Sequence, residues 1–415
     1  MDSNPNYGII ADFIILTPLL LLLRAALPRR TVVEASFTLV GAYLIYTAAP
    51  RFLPFYALYW ATIFALQWAM WAAAKKIGGL ASKIVTAAII VITLSPMVIW
   101  KLWPAPFVEW FTATFARVIW TSSGMLGAYD IIAPIVAPIG LSFATFRALD
   151  LLIKIRLELL KPISPLSLAY YGFFGPVLAV GPVIEYEEVR LKDRLTRFPA
   201  ASDIGAGLFR IALGAIKVMA LAYFLSKWSN DLWRSGEAGW AASWAAVLLY
   251  GMFFYVNFSG YSDLAIGASR LHGVRLKENF NNPYTKTNPQ LFWASWHMSL
   301  TRWCQRYVFV PLGGMRASRQ YIATFFTIMT IALWHALSWN MVIFGLYHAV
   351  FLIAHRFIDS RKGVAKPVKE DAVWLRMLKS FGVFAYVSFS IPLFALPVDS
   401  VPSFYAKLIP GGDGL

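Results

Sequence analysis

The chain has 415 residues, of which 59% are hydrophobic and 14% charged, with a mean hydropathy of +0.61. A soluble domain carries about 25% charged residues, and a disordered segment is poorer in apolar ones. Both classes are excluded, and the composition predicts an all-α, polytopic membrane protein. The 37 Lys and Arg against 21 Asp and Glu leave +16. In a membrane protein this excess follows from basic residues gathering in cytoplasmic loops, so no nucleic-acid partner is implied. Cys304 is the one cysteine, which rules out an intramolecular disulfide or a CxxC metal or redox site.

Residues 1–7 lack the basic region of a secretory signal, and the first apolar run ends at Arg24, so this run is expected to stay in the protein. Apolar stretches near 8–23, 32–49, 53–73, 81–100, 131–153, 203–226, 239–257, 320–338, 340–355 and 375–397 predict ten crossings, each close to the ~20 residues a bilayer requires. Cations follow the odd-numbered early crossings: Arg24, Arg29 and Arg30, then Lys75 and Lys76, then Lys154, Arg156 and Lys161. That asymmetry predicts an extracytoplasmic N-terminus, and ten crossings return the C-terminus to the same side.

Between crossings, residues 104–121 carry Pro104, Pro106 and Trp110 and suit the outer interface. Residues 165–184 are apolar but broken by Gly172, Gly175, Pro176, Gly181 and Pro182, which predicts a re-entrant segment enclosed by protein. Residues 258–318 mix apolar patches with Arg270, Arg275, Lys277, Lys286, Arg302, Arg306 and Arg316, as expected of interfacial helices or a cytoplasmic funnel. No repeat, linker or change of composition divides the chain, so one membrane domain over 1–415 is expected.

Ionisable groups at membrane depth are costly, so those present are candidates for function. His297, in Phe-Trp-Ala-Ser-Trp-His-Met-Ser-Leu, and His335, in Ala-Leu-Trp-His-Ala, stand in tryptophan-rich contexts, and imidazole suits proton transfer near neutral pH. The competing reading for each is a histidine held by a backbone carbonyl. His348 and His355 are seven apart with no completing ligand set, so no metal site is predicted, and they and His272 read as structural. Asp150 reads as a partner of Lys154 or Arg156. Asp263, in Asn257-Phe258-Ser259-Gly260-Tyr261-Ser262-Asp263, either lines a polar cavity at a small-residue turn or caps a helix or pairs with Arg270. Cys304 reads as a buried, inert thiol.

Seven elements lie in order across 138–335: Pro138 to Arg147 (Pro-Ile-Gly-Leu-Ser-Phe-Ala-Thr-Phe-Arg), Gly181 to Tyr186 (Gly-Pro-Val-Ile-Glu-Tyr), Asn257 to Asp263, Glu278 to Tyr284 (Glu-Asn-Phe-Asn-Asn-Pro-Tyr), Phe292-Trp293 with Trp296 to Leu300, Pro311 to Gly314, and Leu333-Trp334-His335. Together they resemble the membrane-bound O-acyltransferases, in particular the bacterial branch that includes the alginate O-acetyltransferase membrane subunit and the teichoic-acid D-alanyl transfer protein. The resemblance implies a helix bundle around a central tunnel, with His335 the residue most closely tied to catalysis and His297 nearer the cytosolic opening. Ala336 stands where the family usually has glycine, and Cys304-Gln305-Arg306 where an aromatic-Arg-Asp run is usual.

What the resemblance implies chemically is acyl transfer from a cytoplasmic thioester, on an acyl carrier protein or coenzyme A, to an extracytoplasmic hydroxyl of a cell-envelope polymer or partner protein. No tightly bound cofactor or metal is implied. Asn281, Ser299 and Trp334 are candidate oxyanion donors, and Asp263 a candidate substrate contact. Thr145 to Asp150 (Thr-Phe-Arg-Ala-Leu-Asp) and the compact length lean toward D-alanyl transfer, whereas Pro311 to Gly314 leans toward O-acetylation from acetyl-CoA. Outside the family, a transporter is the competing class, but the paired halves such proteins often carry are not found. The expected location is the bacterial cytoplasmic membrane.

Overall fold

A computed structural model describes residues 5–102, 140–190, 198–234, 239–361, 372–396 and 398–410. The aromatic stretch 104–121, the beginning of the predicted crossing 131–153, Pro138-Ile139 and most of the basic stretch 356–369 lie outside the described residues. The described chain is helical, with α1 Pro5–Ala26, α2 Arg30–Ala48, α3 Leu53–Lys75, α4 Gly79–Leu102 and α5 Leu141–Arg156, then the shorter α6 Pro165–Gly172. Next come α7 Ala201–Ala215 and α8 Ala222–Arg234, joined by a π-helical turn over Ile216–Leu221, and the long α9 Trp240–Leu271. The short α10 Pro289–Ser295 and α11 Met298–Cys304 precede α12 Gln320–His335, α13 Trp339–Arg361 and α14 Val373–Phe389.

Seven described helical segments are long and apolar enough to cross a membrane: 8–26, 30–48, 79–102, 201–232, 240–271, 339–361 and 373–394. Of the ten crossings expected from sequence, 131–153 is described only in part, and the one at 320–338 corresponds to α12, whose 16 residues at 1.5 Å per residue span about 24 Å of a core about 30 Å thick. The helix α3 is long enough but buries Tyr56, Tyr59 and Gln67, side chains suited to a protein interior rather than to lipid.

The described residues group into two compact units. The first comprises Met1–Ala212 with Asp263–Lys277. Here α1 packs on α2, α3 on α4 and α5, and α6 on α2 and α3. The segment 165–184 is a short helix, a 3-10 turn at Gly175–Val177 and irregular backbone, nearly all buried among these helices. The buried guanidinium of Arg147 clamps it. Its nitrogens donate to the carbonyl oxygens of Tyr171 (2.9 Å) and Gly172 (3.3 Å) and to the Tyr56 hydroxyl (2.9 Å), while it faces the Trp60 ring at 5.5 Å.

Gly140, which caps the N-terminus of α5, has φ +64°, and a β-carbon there would overlap the Leu178 carbonyl oxygen. Gly140→Ala therefore combines backbone strain with a clash against backbone, and we expect a loss of about 1–3 kcal/mol. A melting temperature in detergent equal to wild type would contradict this.

His272 is buried in the same unit, its ring edge-on to Phe13 and Phe37 and 3.3 Å from the Thr17 hydroxyl, while its carbonyl accepts from Arg24 at 2.8 Å. Burial, aided by the Arg24 charge, pushes its pKa down to about 3. The unfolded chain binds this proton near pH 6.5 and the folded chain does not, so stability falls as pH drops from 6.5 toward 3, by about 1.4 kcal/mol per unit. Unfolding measured between pH 7 and 5 should show that slope in wild type and its loss in His272→Gln.

Several cations of 258–318 are engaged within this unit. Arg275 pairs with both Asp203 oxygens at 3.0 and 3.1 Å, Arg270 reaches Asp203 at 3.2 Å, and Lys277 bridges Glu185 (3.1 Å) and Glu188 (2.9 Å). Lys154 sits among Asp150 (2.9 Å), Glu185 (2.7 Å) and Glu187 (2.8 Å), so an ammonium occupies the centre of this carboxylate cluster. Asp150 thus pairs with Lys154.

The second unit comprises Leu213–Ser262 with Glu278–Leu415. Its core is aromatic: α12 packs on α13, and Phe292, Trp296, Val383 and Val387 form a cluster bordered by Phe254, Tyr255, Phe280 and Tyr284. Trp244 donates to the Leu408 carbonyl oxygen at 3.1 Å and anchors the C-terminal turns.

Candidate active site

The second unit encloses a small cavity of about 50 Å³. Its walls are aromatic, including Phe254, Trp293, Trp296 and Phe394, and three histidines reach it: His297, His335 and His348. Polar atoms are few, which suits a reaction that must exclude water.

The backbone of His297 lies in the left-handed region, φ 44° and ψ 52°, at the N-terminus of α11. Such a conformation costs a non-glycine residue about 1–3 kcal/mol and persists where surrounding contacts impose it. Those contacts centre on Asn279. Its backbone carbonyl accepts from Met298 N–H at 2.8 Å, and its side-chain oxygen accepts from Ser299 N–H (3.2 Å) and from the Ser299 hydroxyl (2.8 Å). Its side-chain nitrogen donates to the Ser262 hydroxyl at 3.0 Å, which fixes the orientation of the amide. The amide oxygen lies 3.1 Å from His297 Nδ1, so Nδ1 carries the hydrogen and Nε2 the lone pair.

Burial, and then the neighbouring His335 and Arg302, hold the His297 pKa well below the usual histidine range. His297 is therefore a neutral imidazole with a fixed tautomer. It is suited to hydrogen bonding with a reacting group and poorly suited to retaining that group's proton.

His335 is the last residue of α12, half-buried at the helix end. The Trp334 ring lies 4.5 Å from the His335 ring and 6.1 Å from the His297 ring, and Phe394 meets His335 edge-on at 5.0 Å. The terminal carbonyls of a helix favour positive charge on a side chain beside them, such as an imidazolium formed when His335 accepts a proton. Ala336 is extended, φ −154° and ψ 147°, a conformation open to any residue, so the helix ends here without glycine.

His348 is fully engaged. The Tyr386 hydroxyl donates to Nδ1 at 2.6 Å. Because the Ser390 hydroxyl donates to the Val387 carbonyl oxygen at 2.7 Å, the 3.0 Å contact from His348 Nε2 to Ser390 is an N–H donation. His348 thus serves as a bonded polar wall. His355 pairs with Asp359 at 3.1 Å, and Cys304 is buried with its thiol pKa pushed up to about 12.

The remaining sequence-derived candidates are dispersed. Ser299 joins the Asn279 and His297 cluster, and the Trp334 ring neighbours both histidine rings. Asn281 is exposed, with its backbone N–H donating to the Ser295 carbonyl oxygen at 3.0 Å. The amide that orients His297 belongs to Asn279, two residues earlier. The run Asn279-Phe280-Asn281-Asn282 carries the signal, since only one of three closely spaced amides can be the buried one. The stretch Asn257–Asp263 forms no turn but lies inside α9, where Gly260 packs against Lys217 and Val218. Asp263, assigned by contacts to the first unit, is buried and paired with Arg210 at 2.5 Å, not with Arg270.

A model of the membrane-bound O-acyltransferase family matches residues 149–366, just over half of the chain, and the chain belongs to that family. Similar proteins include a probable alginate O-acetylase of Pseudomonas aeruginosa, 29% identical over 260 residues, 61% of this chain and 50% of the relative. A peptidoglycan O-acetyltransferase of Helicobacter pylori is 30% identical over 196 residues, 46% of this chain and 37% of the relative. A teichoic acid D-alanyltransferase of Bacillus subtilis is 27% identical over 275 residues, 63% of this chain and 69% of the relative. The chain spans about half the length of the alginate O-acetylases it matches.

Proposed function

We propose that the chain is a multi-pass acyltransferase of the bacterial cytoplasmic membrane, with both termini extracytoplasmic. It moves an acyl group from a cytoplasmic thioester to an extracytoplasmic hydroxyl of a cell-envelope polymer or partner protein. The carrying observation is an aromatic cavity lined by both His297, whose ring is held by Asn279, and His335, at the end of α12.

In this reading His335 is the general base. It takes the proton of the acceptor hydroxyl as the oxygen attacks the thioester carbonyl, and the C–S bond breaks with the proton passed to the departing sulfur. His297 orients a reacting group through its Nε2 lone pair, with Asn279 and Ser299 fixing the ring. Trp334 packs beside both imidazoles. The aromatic walls keep water from hydrolysing the thioester. No tightly bound cofactor enters this reading, and the co-substrate is an acyl carrier protein or coenzyme A thioester.

The D-alanyl group on a phosphopantetheinyl carrier is the first donor to test, on the strength of the Thr145–Asp150 run and of the teichoic acid D-alanyltransferase, which the match covers most fully of the three relatives above. The O-acetyl reading rests on the similarity to alginate and peptidoglycan O-acetyltransferases. Purified protein in vesicles, given labelled D-alanyl carrier protein or labelled acetyl-CoA on one face and a polyol acceptor on the other, separates them. Label in the acceptor from one donor assigns it, and release of free acid without acceptor labelling would count against transfer.

A further inference from the structure

The first unit contains a second, larger recess of about 820 Å³ between the start of α2, the connection 157–164 and the turn at Tyr186–Arg190. Its floor centres on the buried side chains of Glu34 and Ser167. Glu34 accepts from Arg30 Nε at 2.9 Å and from the Ser167 hydroxyl at 3.0 Å, Arg30 also donates to Ser167 at 3.1 Å, and Ser164 donates to Ser167 at 3.0 Å. The charge of Glu34 is thereby matched by Arg30. Tyr186, itself buried, completes the floor.

The rim has a different balance. Lys161 and Arg190 line the recess, both exposed, and no described carboxylate lies within ion-pair distance of either. Two cations thus face a hydroxyl-rich floor whose single carboxylate is already neutralised, an arrangement complementary to an anion with several acceptor oxygens. Beside them the connection exposes Leu157 and Leu159, 59% and 68% accessible, and Leu159 lines the recess itself. Exposed leucines beside paired cations, in a loop that follows a helix of a membrane protein, match the boundary between headgroups and acyl chains.

We propose that this recess binds a phosphate ester, with the phosphate on Lys161 and Arg190, and the leucine shoulder points to the headgroup of a membrane phospholipid as its source. The recess shares no lining residue with the histidine cavity, and the proposal does not depend on the acyl-transfer reading.

Native mass spectrometry of the full chain in detergent, titrated with short-chain phosphatidylglycerol, tests it. Wild type should bind one lipid at least tenfold more tightly than the Lys161→Ala/Arg190→Ala double variant, while Lys161→Arg/Arg190→Lys should bind like wild type. Circular dichroism melting checks that the alanine variant is folded. If excess inorganic phosphate leaves the lipid bound, the headgroup is the source; if it displaces the lipid at equal concentration, a soluble phosphate ester is. Equal lipid binding by wild type and the folded alanine variant, or no specific binding of either probe to wild type, overturns the proposal.

Discussion

His335→Ala is expected to lower acyl transfer by about 10²–10⁴-fold, the usual contribution of a general base. The variant keeps the aromatic cavity and His297, so donor binding should change little and the loss should fall on kcat. The site at the end of α12 also makes the result interpretable, because a terminal residue with an extended neighbour, Ala336, can be truncated without breaking a helical hydrogen bond that follows it. Labelled transfer in vesicles gives the rate, and a His335→Gln variant that preserves shape but cannot act as a base at neutral pH should be equally impaired. Transfer by either variant within tenfold of wild type would remove the base assignment.

Asn279→Leu should produce the second large effect, on both stability and rate. Removing the amide takes from Ser262, Ser299 and His297 Nδ1 the hydrogen-bond partner they share, and loss of a buried hydrogen bond costs about 1–3 kcal/mol. Loss of the anchor also frees the His297 ring, and a misplacement of about 1 Å can cost about 10²-fold in rate. A purely structural role would lower the melting temperature alone. A positioning role predicts in addition that kcat falls more than KM, and that the His297 ¹⁵N resonances lose the signature of a single Nδ1–H tautomer. Asn279→Asp can still accept from Nδ1 and Ser299, so it should recover most of the rate while shifting the acid limb of the pH profile upward, because a carboxylate favours the imidazolium. An Asn279→Leu enzyme that stays folded and transfers at the wild-type rate would contradict the assignment.

Most of the helical architecture was legible before any coordinates, because lipid imposes a requirement that local sequence must meet by itself: a run of apolar residues with all backbone groups satisfied within the helix. This explains why α1, α2, α4 and α13 coincide closely with the predicted crossings. It also explains the disagreements. The run of α12 is as apolar as those of the spanning segments, but the helix built on it has only 16 residues, and composition alone does not fix where a helix ends. The break at Asn257–Asp263 was misleading for a related reason: small residues permit a turn, but they equally permit the close helix packing seen at Gly260.

His297 and His335 were visible in the sequence as costly polar groups in aromatic surroundings, and their motifs resembled one family. The sequence by itself determined the membrane class, the helical composition and the family, and marked these two imidazoles as candidates. The tertiary structure decided which amide serves His297, how the charges are shared among Asp203, Glu185 and the cations of 258–277, and that Lys161 and Arg190 come to one recess with Glu34. Hydropathy is a sum over neighbours in the chain, whereas a hydrogen bond or ion pair joins residues as far apart as Glu34 and Ser167, and that pairing exists only once the helices have packed.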